Sequence, residues 1–406
     1  MTDAPGDADV VIVGAGPAGL SAAAELCRHR VGRVLVLDRE PAAGGVPRFC
    51  GHSPYGLREF RRPMRGPAYA RALAARARAA GAEIRTGTTV TALARGPRLT
   101  VSSDAGVFEI SARRVLLATG ARETTRAGRL IGGTKPGGVL TTGGLQGLVY
   151  GARRRPFQRP VILGTELVSF SCLLTCRHAG IRPVAMVEPG ARITARHPSH
   201  LLPRALGVPL RLGTDLLAIE GDARVERVVL ATPQGDQALE ADGVIVTGRF
   251  RPEATLVRLG GLTYDRATGG PEIDDYGRTS DPAIFAAGNL LRPIETAGWC
   301  WAEGRAIARA IVRSLTHPAP TGEARRVTRA GRSLAYAIPQ RITGGAEPAL
   351  DRLQMRVQRA VWGRLSLRVN GHEMAGRSIS ALPERRLLLP LPDARGHPEV
   401  AVDPLT

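Results

Sequence analysis

Short apolar runs alternate with turns and alanine-rich segments at the start of the chain. An apolar run at residues 10–13 leads through a glycine-rich turn at residues 14–19 into an alanine-rich segment at residues 20–28, and a second apolar run follows at residues 34–37. Apolar runs bounded by turns are typical of buried strands, and the alanine-rich segment favours a helix. This order predicts a strand–helix–strand unit with parallel strands.

The same patterns predict further elements along the chain. They are a helix at 67–80, a strand at 82–93, a hairpin around 104–106, a buried strand from 115, a second strand–helix–strand unit at 160–187, a strand at 243–246, a short strand near 284 and a helix that opens at 295–298 and runs to about 314. Beyond residue 323, apolar and polar residues alternate at 353–357 and 365–369, directly before Asn370-Gly371. Asn-Gly between alternating segments is a strong β-hairpin signal.

These elements predict an α/β chain of several domains, as its 406 residues lead us to expect. We expect two dinucleotide-binding (Rossmann-like) domains, the second inserted in the first, and a small β-rich C-terminal domain. The first dinucleotide-binding domain would comprise residues 1–122 and 265–315, and the second residues 123–264. A proline-containing linker at residues 315–323 would precede the C-terminal domain at residues 323–406.

The glycine-rich turn has the spacing of a dinucleotide-binding motif. Gly14 permits the tight turn, Gly16 lets the backbone approach a pyrophosphate, and Gly19 lets the helix pack against the strand. The helix N-terminus offers unpaired N–H groups to phosphates. Asp38 ends the second strand, roughly 20 residues after the glycines, where a ribose hydroxyl would be bound.

The second unit keeps this topology but not the motif. Its strand leads into Gly164, but Glu166 stands at the position of the second glycine and Ser169 at the position of the third. A carboxylate at that point adds bulk and repels phosphate. We therefore expect a dinucleotide-binding fold in which NAD(P) binding is doubtful.

The chain carries a formal net charge of +20, yet its cations do not indicate nucleic-acid binding. Lys135 is the only lysine among the 56 basic residues, a pattern typical of GC-rich coding, and the arginines are spread along the chain. The charge favours an acidic protein partner. Three loop arginines are candidates for binding an acidic substrate or a flavin phosphate, with solvated surface as the favoured alternative: Arg58, Arg61 and Arg62.

The cysteines and the N-terminal residues indicate the cellular compartment of the protein. Five cysteines without paired metal-ligand spacing predict neither a disulfide framework nor a metal site. The first residues lack the basic and apolar regions of a signal peptide, and no apolar stretch approaches the ~18 residues of a membrane span. We expect a cytoplasmic protein without a membrane span.

Residues 39–64 form a long glycine- and proline-rich segment that contains the first candidates for chemistry. Loops of that length are often functional, and this one places Cys50 two residues before His52. A third candidate, Cys300, lies near the predicted start of the last helix. A thiol and an imidazole in contact can transfer protons; packing within the loop is the alternative.

Several motifs together resemble a known superfamily of flavoproteins. The glycine turn with Asp38, Ala118-Thr119-Gly120, Thr247-Gly248 and Ala286-Ala287-Gly288-Asn289 resemble the FAD-dependent pyridine nucleotide-disulfide oxidoreductases, over nearly the whole chain. More narrowly, the segments Gly44 to His52, Gly66 to Ala70 and Gly298-Trp299-Cys300 resemble the FAD oxidoreductases associated with glycerol-3-phosphate dehydrogenases. They also resemble the A or α subunits of opine oxidase, hydroxyproline dehydrogenase and hydrogen cyanide synthase.

The resemblance implies an FAD site in the first domain, with Asn289 where the superfamily usually has an Asp that contacts the ribityl chain. The cofactor-binding residues it implies are Gly14, Gly16, Pro17, Ala18, Gly19, Asp38, Arg39, Gly45, Arg48, Thr119, Gly120, Gly288, Asn289, Thr296 and Ala297. A helix N-terminus near residue 297 would stabilise negative charge on a reduced flavin.

The sequence also departs from these relatives. It has no Cys-x-x-Cys pair, although Cys172 and Cys176 share a face of a predicted helix, with apolar packing as their alternative role. No cysteine follows residue 301, so an iron–sulfur relay would have to belong to another chain.

Three functions remain open. The first is an FAD-dependent oxidoreductase that serves as one subunit of a multi-chain dehydrogenase. It would pass electrons from a small amine, amino-acid/opine or polyol substrate to an external iron–sulfur or quinone acceptor, with a small 2Fe–2S protein, a substrate-oxidising flavoprotein subunit or both as partners. The second is a free-standing NAD(P)H:acceptor reductase, and the third a nucleotide-binding structural subunit. The weakened second motif favours the first.

Overall fold

The computed structural model describes residues 7–196, 198–317, 324–344, 347–392 and 396–404. Residues 1–6 of the N-terminal segment and most of the predicted linker at 315–323 lie outside the described residues. The helices are α1 (Pro17–Arg28), α2 (Leu57–Phe60), α3 (Gly66–Ala79), α4 (Thr142–Gln146), α5 (Leu167–His178), α6 (Leu201–Ala205), α7 (Thr255–Leu259) and α8 (Ala297–Thr316).

The strands, in chain order, are β1 (Ala8–Val13), β2 (Val34–Leu37), β3 (Glu83–Arg85), β4 (Thr89–Ala94), β5 (Arg98–Ser103), β6 (Gly106–Leu117), β7 (Ala121–Arg122), β8 (Gly132–Gly133), β9 (Val139–Thr141), β10 (Pro160–Leu163), β11 (Ala185–Glu188), β12 (Leu210–Leu212), β13 (Asp215–Glu220), β14 (Arg227–Thr232), β15 (Gly235–Glu240), β16 (Gly243–Val246), β17 (Arg251–Pro252), β18 (Tyr264–Asp265), β19 (Gly270–Pro271), β20 (Ile284–Ala286), β21 (Arg325–Arg326), β22 (Thr328–Ala330), β23 (Leu334–Ile338), β24 (Arg341–Ile342), β25 (Arg352–Val357), β26 (Val361–Val369), β27 (His372–Ala381), β28 (Leu387–Pro390) and β29 (Pro398–Pro404).

The first sheet has the strand order β3-β2-β1-β6-β5-β4, and β20 also pairs with β6. Strands β3, β2, β1, β6 and β20 are parallel, whereas β4 and β5 continue the long strand β6 as an antiparallel extension. Val10, Val11 and Ile12 are completely buried, as expected of a parallel strand covered on both faces. The prediction of a single strand at 82–93 was wrong. This segment forms two strands, β3 and β4, because the chain turns at Gly87, which has a φ of +63°.

Two helices pack closely on the first sheet. Pro17 opens α1, where its missing N–H removes no helical hydrogen bond. A side chain at Gly304 of α8 would overlap the Ala18 carbonyl group, so glycine allows α1 and α8 to approach. Burial would raise the pKa of Glu25 on α1, but hydrogen bonds from Arg305 and Arg309 on α8 outweigh it and lower that pKa.

No described helix is both long and apolar enough to cross a membrane.

The second sheet repeats the parallel arrangement with the order β12-β11-β10-β16-β9. A separate mixed sheet, β15-β14-β13-β8, packs beside it; β13, β14 and β15 are antiparallel, and β8 pairs with β13 in parallel. The second dinucleotide-binding fold predicted from the sequence is therefore confirmed. Strands β8 and β9 and helix α4 were not predicted, because the glycine- and threonine-rich composition of residues 122–151 hides these short elements.

The chain passes between the two folds through a short antiparallel pair, β7 with β17. After β17, the residues Ala254, Leu256 and Val257 are buried in the core of the first sheet. We therefore propose that the inserted domain ends before residue 254, earlier than the boundary at 265 that the sequence led us to expect.

The C-terminal region consists of two facing sheets, β22-β29-β26-β27 and β23-β25-β28. Leu353 and Met355 from one sheet and Leu365 and Leu367 from the other share one apolar core. The predicted hairpin at Asn370-Gly371 connects β26 to β27, and both turn residues have positive φ, 50° and 82°. Two successive positive φ values are required by the type I′ turn that Asn-Gly favours.

Candidate functional site

The glycine turn after β1 is closely packed against the protein on one side and open on the other. Gly14 has a φ of +109°, and a side chain there would overlap the Ala118 carbonyl group. A side chain at Gly19 would overlap the Gly14 carbonyl oxygen. At Gly16, by contrast, an added Cβ would meet no atom within 4 Å. The turn thus leaves an open position at the N-terminus of α1, where a phosphate would be bound.

Asp38 lies beside this turn. One oxygen of its carboxylate accepts a hydrogen bond from the Ala15 N–H at 2.6 Å, and the other accepts one from the Glu40 N–H at 2.9 Å. A carboxylate has about four lone-pair positions, so the fixed side chain retains acceptors for ribose hydroxyls.

The loop after Asp38 closes over the turn. The Gly44 N–H donates to the Ala15 carbonyl at 2.8 Å, and Gly45 lies against the Gly16 Cα. Arg48 folds back to the same place: its guanidinium bonds Glu40 at 2.9 Å and the Gly45 carbonyl at 3.4 Å. Arg39 is exposed, and 3.9 Å separates it from the Glu40 carboxylate.

The other implied cofactor residues gather at the same edge of the sheet. In the first sheet, Val13 of β1 is paired with Leu117 of β6, and Leu117 with Ala286 of β20. The segments that follow these three strands therefore all begin at the carboxyl edge of the sheet. Ligands of open α/β sheets bind at this edge. The Thr119 hydroxyl donates to the Glu253 carbonyl at 2.8 Å, and Gly120, with a φ of +77°, has open space beside it.

Asn289 uses its amide within the protein. Its side-chain oxygen accepts from the Glu295 N–H at 2.7 Å, and its NH₂ donates to the Glu295 carbonyl at 3.2 Å. These two bonds close the turn between Asn289 and Glu295. Thr296 and Ala297 follow this turn, and α8 begins at Ala297. The Thr296 side chain forms no capping hydrogen bond with the first turn, so the positive end of the helix dipole is not capped by this side chain.

Sequence reasoning missed the residue that holds Gly288. That residue is Glu303. The Gly288 N–H donates to the Glu303 carboxylate at 2.8 Å, and Glu303 forms an ion pair with the buried Arg292. A Glu within the Ala-rich α8 has no local feature that distinguishes it from a solvated residue. Only the return of β20 to the first sheet brings these positions together.

This edge fits FAD. It combines the open backbone at Gly16, the oriented Asp38 carboxylate and the uncapped start of α8, which would face a pyrophosphate, a ribose and a reduced flavin respectively. Bound here, FAD would supply two-electron redox chemistry, while the protein positions and electrostatically stabilises it.

The three candidate catalytic residues do not form a thiol–imidazole pair. Cys50 and His52 share a loop, but within the described residues no hydrogen bond joins their side chains. The Cys50 thiol donates to the Gln146 side-chain oxygen at 3.7 Å, and the His52 Nδ1 lies 3.1 Å from the Ser171 hydroxyl. Cys300 is buried on α8, where burial and then the Glu303 charge raise its pKa to about 12. All three remain predictions as catalytic groups.

In the second fold, two carboxylates accept hydrogen bonds from backbone N–H groups near the end of β16 and the start of α4. Glu166 precedes α5, and its carboxylate accepts from the Arg249 N–H at 2.7 Å and lies against Gly248. Glu123 accepts from the N–H groups of Gly248 and Gly143 at 3.0 and 2.8 Å. Burial raises the pKa of both Glu123 and Glu166. The backbone donors near a nucleotide would thus already be used by carboxylates.

The remaining cysteines pack within the second fold. Cys172 and Cys176 are completely buried on α5. Burial and a hydrogen bond between the two raise the pKa of Cys172 far above its ordinary value. Both are free thiols. Among the described residues, no group of three or more His, Cys, Asp or Glu side chains is arranged to hold a metal ion.

The chain is similar to several known proteins. The A subunit of opine oxidase from Rhizobium meliloti (strain 1021) is 28% identical over 337 residues, which cover 76% of this chain and 72% of that protein. The ferredoxin reductase component of chlorobenzene dioxygenase from Cupriavidus sp. (strain PS12) is 27% identical over 327 residues, covering 75% and 74%. The crystal structure of T. acidophilum thioredoxin reductase matches with a TM-score of 0.63 and 21% identity, covering 76% of this chain and 98% of that one, and thus shares the fold.

A sequence model of the pyridine nucleotide-disulphide oxidoreductase family matches residues 8–304. This range contains the glycine turn, both parallel sheets and the start of α8. It agrees with the resemblance drawn from the motifs and with the fit of the first site to FAD. The chain belongs to the pyridine nucleotide-disulphide oxidoreductase family and is an FAD-dependent oxidoreductase.

Proposed function

We propose that the chain is the FAD-bearing subunit of a multi-chain dehydrogenase. It passes electrons from a small amine, amino-acid/opine or polyol substrate to an external iron–sulfur or quinone acceptor. The observation that carries this proposal is the Glu166 carboxylate at the second site. A protein that does not take electrons from NAD(P)H must receive them from another donor.

The energetics support this assignment. Two like charges 4 Å apart repel by about 4 kcal/mol at an effective dielectric constant near 20. Binding of a dinucleotide would also have to displace Glu166 from the Arg249 N–H, and Glu123 from Gly248 and Gly143. Each displaced buried bond adds a cost.

The relatives support a multi-component system. One is named as one of the subunits of opine oxidase and another as a component of a dioxygenase. The partners we propose are a small 2Fe–2S protein, a substrate-oxidising flavoprotein subunit, or both. The amino-acid/opine class has the strongest support among the substrates because of the first of these relatives.

The second relative favours the alternative of an NAD(P)H:acceptor reductase, and one experiment separates the two. The FAD-loaded chain is mixed with NADH or NADPH in a stopped-flow spectrometer and bleaching of the flavin is followed. We expect slow or no reduction by the wild type and at least roughly tenfold faster reduction in Glu166→Gly, which removes the repulsion. Fast bleaching of the wild type at micromolar NADH would instead establish the reductase.

A further inference from the structure

A series of hydrogen-bonded polar side chains, most of them buried, runs from the loop at residues 39–64, which we call the FAD loop, into the second fold. Cys50 and His52 belong to the loop that closes over the glycine turn, Gln146 ends α4, and Ser171 and Thr175 lie on successive turns of α5. Gln146 is 2% exposed and Thr175 is completely buried. Bulk water does not reach these two side chains, so their polar atoms need hydrogen-bond partners inside the protein.

The direction of these bonds follows from Thr175. Its hydroxyl donates to the Ser171 carbonyl at 3.0 Å, so its only proton is used. Gln146 approaches the same hydroxyl oxygen at 3.4 Å and the Ser171 hydroxyl at 2.9 Å. Only the NH₂ end of the amide can donate to the Thr175 oxygen. The orientation of the Gln146 amide is thereby fixed, with its oxygen directed to the Cys50 thiol.

The protonation of His52 follows from these bonds. The Ser171 oxygen accepts from Gln146, and the Ser171 proton is left to donate to the His52 Nδ1, 3.1 Å away. An imidazole nitrogen that accepts a hydrogen bond carries no proton. The proton of the neutral ring must then be on Nε2.

The Cys50 thiol, at the other end of this hydrogen-bonded series, is also neutral. The Cys50 sulfur lies 3.7 Å from the Gln146 side-chain oxygen and 3.6 Å from the Val46 carbonyl oxygen, and these two acceptors share its single proton. Burial raises the pKa of Cys50, and the negative charge of Glu123 adds to the rise although a Tyr55 hydrogen bond opposes it. Burial lowers the pKa of His52. A thiolate and an imidazolium are both disfavoured.

Among the described residues, the side chains in contact with the His52 ring belong to Tyr55 and Ser171. Tyr55 from its own loop lies with its ring 5.5 Å from the imidazole, and burial raises the pKa of its hydroxyl. Ser171 faces it from α5. A proton on Nδ1 would direct an N–H at the Ser171 oxygen, and the Ser171 proton would lose its acceptor.

We propose that Gln146, Ser171 and Thr175 are positioning residues that hold His52 as the neutral tautomer with its proton on Nε2. His52 then serves as a hydrogen-bond donor to a ligand oxygen at the boundary of the two folds, such as a carboxylate, carbonyl or alkoxide. It is neither a general base nor half of an ion pair with Cys50. The orientation of an FAD-loop side chain is set by the second fold, which gives that fold a role independent of NAD(P).

Nitrogen NMR of the FAD-loaded chain tests this directly. Protein labelled with ¹⁵N-histidine contains eight histidines, and His52→Asn assigns the relevant signals. Long-range ¹H–¹⁵N correlations report which ring nitrogen carries the proton. At pH 7.5 we expect an unprotonated Nδ1 and a protonated Nε2 for His52. A protonated Nδ1, or a charged ring, would overturn the proposal.

Matched variants of Ser171 separate orientation from packing. Ser171→Ala removes the donor, so we expect a mixture of the two neutral tautomers of His52. Ser171→Thr keeps a hydroxyl and should retain the wild-type signals. Gln146→Met, which keeps the volume but frees the Ser171 hydroxyl, should also mix the tautomers if Ser171→Ala does not fold. Unchanged His52 signals in folded Ser171→Ala or Gln146→Met would refute the assignment.

Discussion

Glu303 and Arg292 form a two-point ion pair inside the protein, with oxygen–nitrogen distances of 2.9 and 3.1 Å. Their side chains are 5% and 1% exposed. The same carboxylate accepts the Gly288 N–H and a bond from Gln354 of the C-terminal region at 3.3 Å. One pair therefore connects α8, the strand-to-helix turn at the FAD site and the C-terminal sheets.

Breaking this pair should destabilise the protein strongly. Glu303→Gln leaves the Arg292 charge buried without a counter-ion, and removal of one partner of a buried pair costs about 3–5 kcal/mol. Denaturant unfolding followed by circular dichroism measures the loss. As a control, Asp403→Asn breaks an exposed pair with Arg368 and should change stability by about 1 kcal/mol or less. Equal midpoints for the two variants would contradict the structural role of Glu303.

A second prediction concerns the glycine turn. Gly16→Asp places a charged side chain in the space that is open to a pyrophosphate, so we expect a folded protein that purifies without the yellow colour of FAD and does not regain it on titration. Gly19→Ala should differ, because its methyl group overlaps the Gly14 carbonyl and disturbs the fold itself. Visible absorption and circular dichroism report cofactor and fold separately. A yellow Gly16→Asp protein would place the cofactor elsewhere.

The sequence predicted this site because its residues are local to one motif. Glycines at fixed spacing and an acidic residue at a strand end each impose a conformation or a charge on their own neighbourhood. The FAD edge follows from that order together with the parallel sheet. The hairpin at Asn370-Gly371 was predictable for the same reason, since two residues determine the turn.

The contacts of Cys50 and His52 could not be predicted in this way. Their partners, Gln146 and Ser171, lie 96 and 119 residues away, and Gln146 sits in a segment whose short helix left no periodic pattern. Cys50 and His52 are two residues apart in the sequence. This spacing gives their order along the chain but not the directions in which their side chains point. Only tertiary packing of the second fold determines that direction.

The raised pKa of Glu166 gives a pH-dependent effect with a definite sign. Burial is its first cause, and it raises the pKa above the ordinary 4.5. The folded state then holds the proton more tightly than the unfolded state, so wild-type stability falls as the pH rises from about 4.5 through the raised pKa. Glu166→Gln removes the charge. Its unfolding free energy relative to wild type should increase across this window and level off above it.

Unfolding midpoints measured at several pH values test that prediction. Glu373→Gln is a suitable contrast, because a hydrogen bond from Arg364 lowers the pKa of the exposed Glu373. That variant should lose stability relative to wild type as the pH rises, by a small amount because water screens the pair. A Glu166→Gln curve parallel to wild type at every pH would mean that the carboxyl group is not desolvated as the structure places it.

The last prediction concerns the partner. The chain carries a net charge of +20, and in the proposed function its reduced flavin transfers electrons to an external acceptor such as an iron–sulfur protein. An acidic redox protein is attracted to a basic surface at a rate that falls with added salt. Co-expression with the genomic neighbours and size-exclusion chromatography should reveal a complex at low salt that weakens at high salt.

A charge-reversed pair locates the surface. Arg61 and Arg62 are exposed in the loop next to α2, and Arg61→Glu with Arg62→Glu should lower the association rate measured by stopped-flow mixing with the co-purified partner. The same reversal at the exposed Arg95 and Arg98, at the β4–β5 turn, serves as the control for net charge. Equal slowing by both pairs would show that charge acts without a defined docking site. A chain that remains alone at every salt concentration, yet oxidises an amine, opine or polyol with a dye acceptor, would refute the subunit proposal and establish a self-sufficient enzyme.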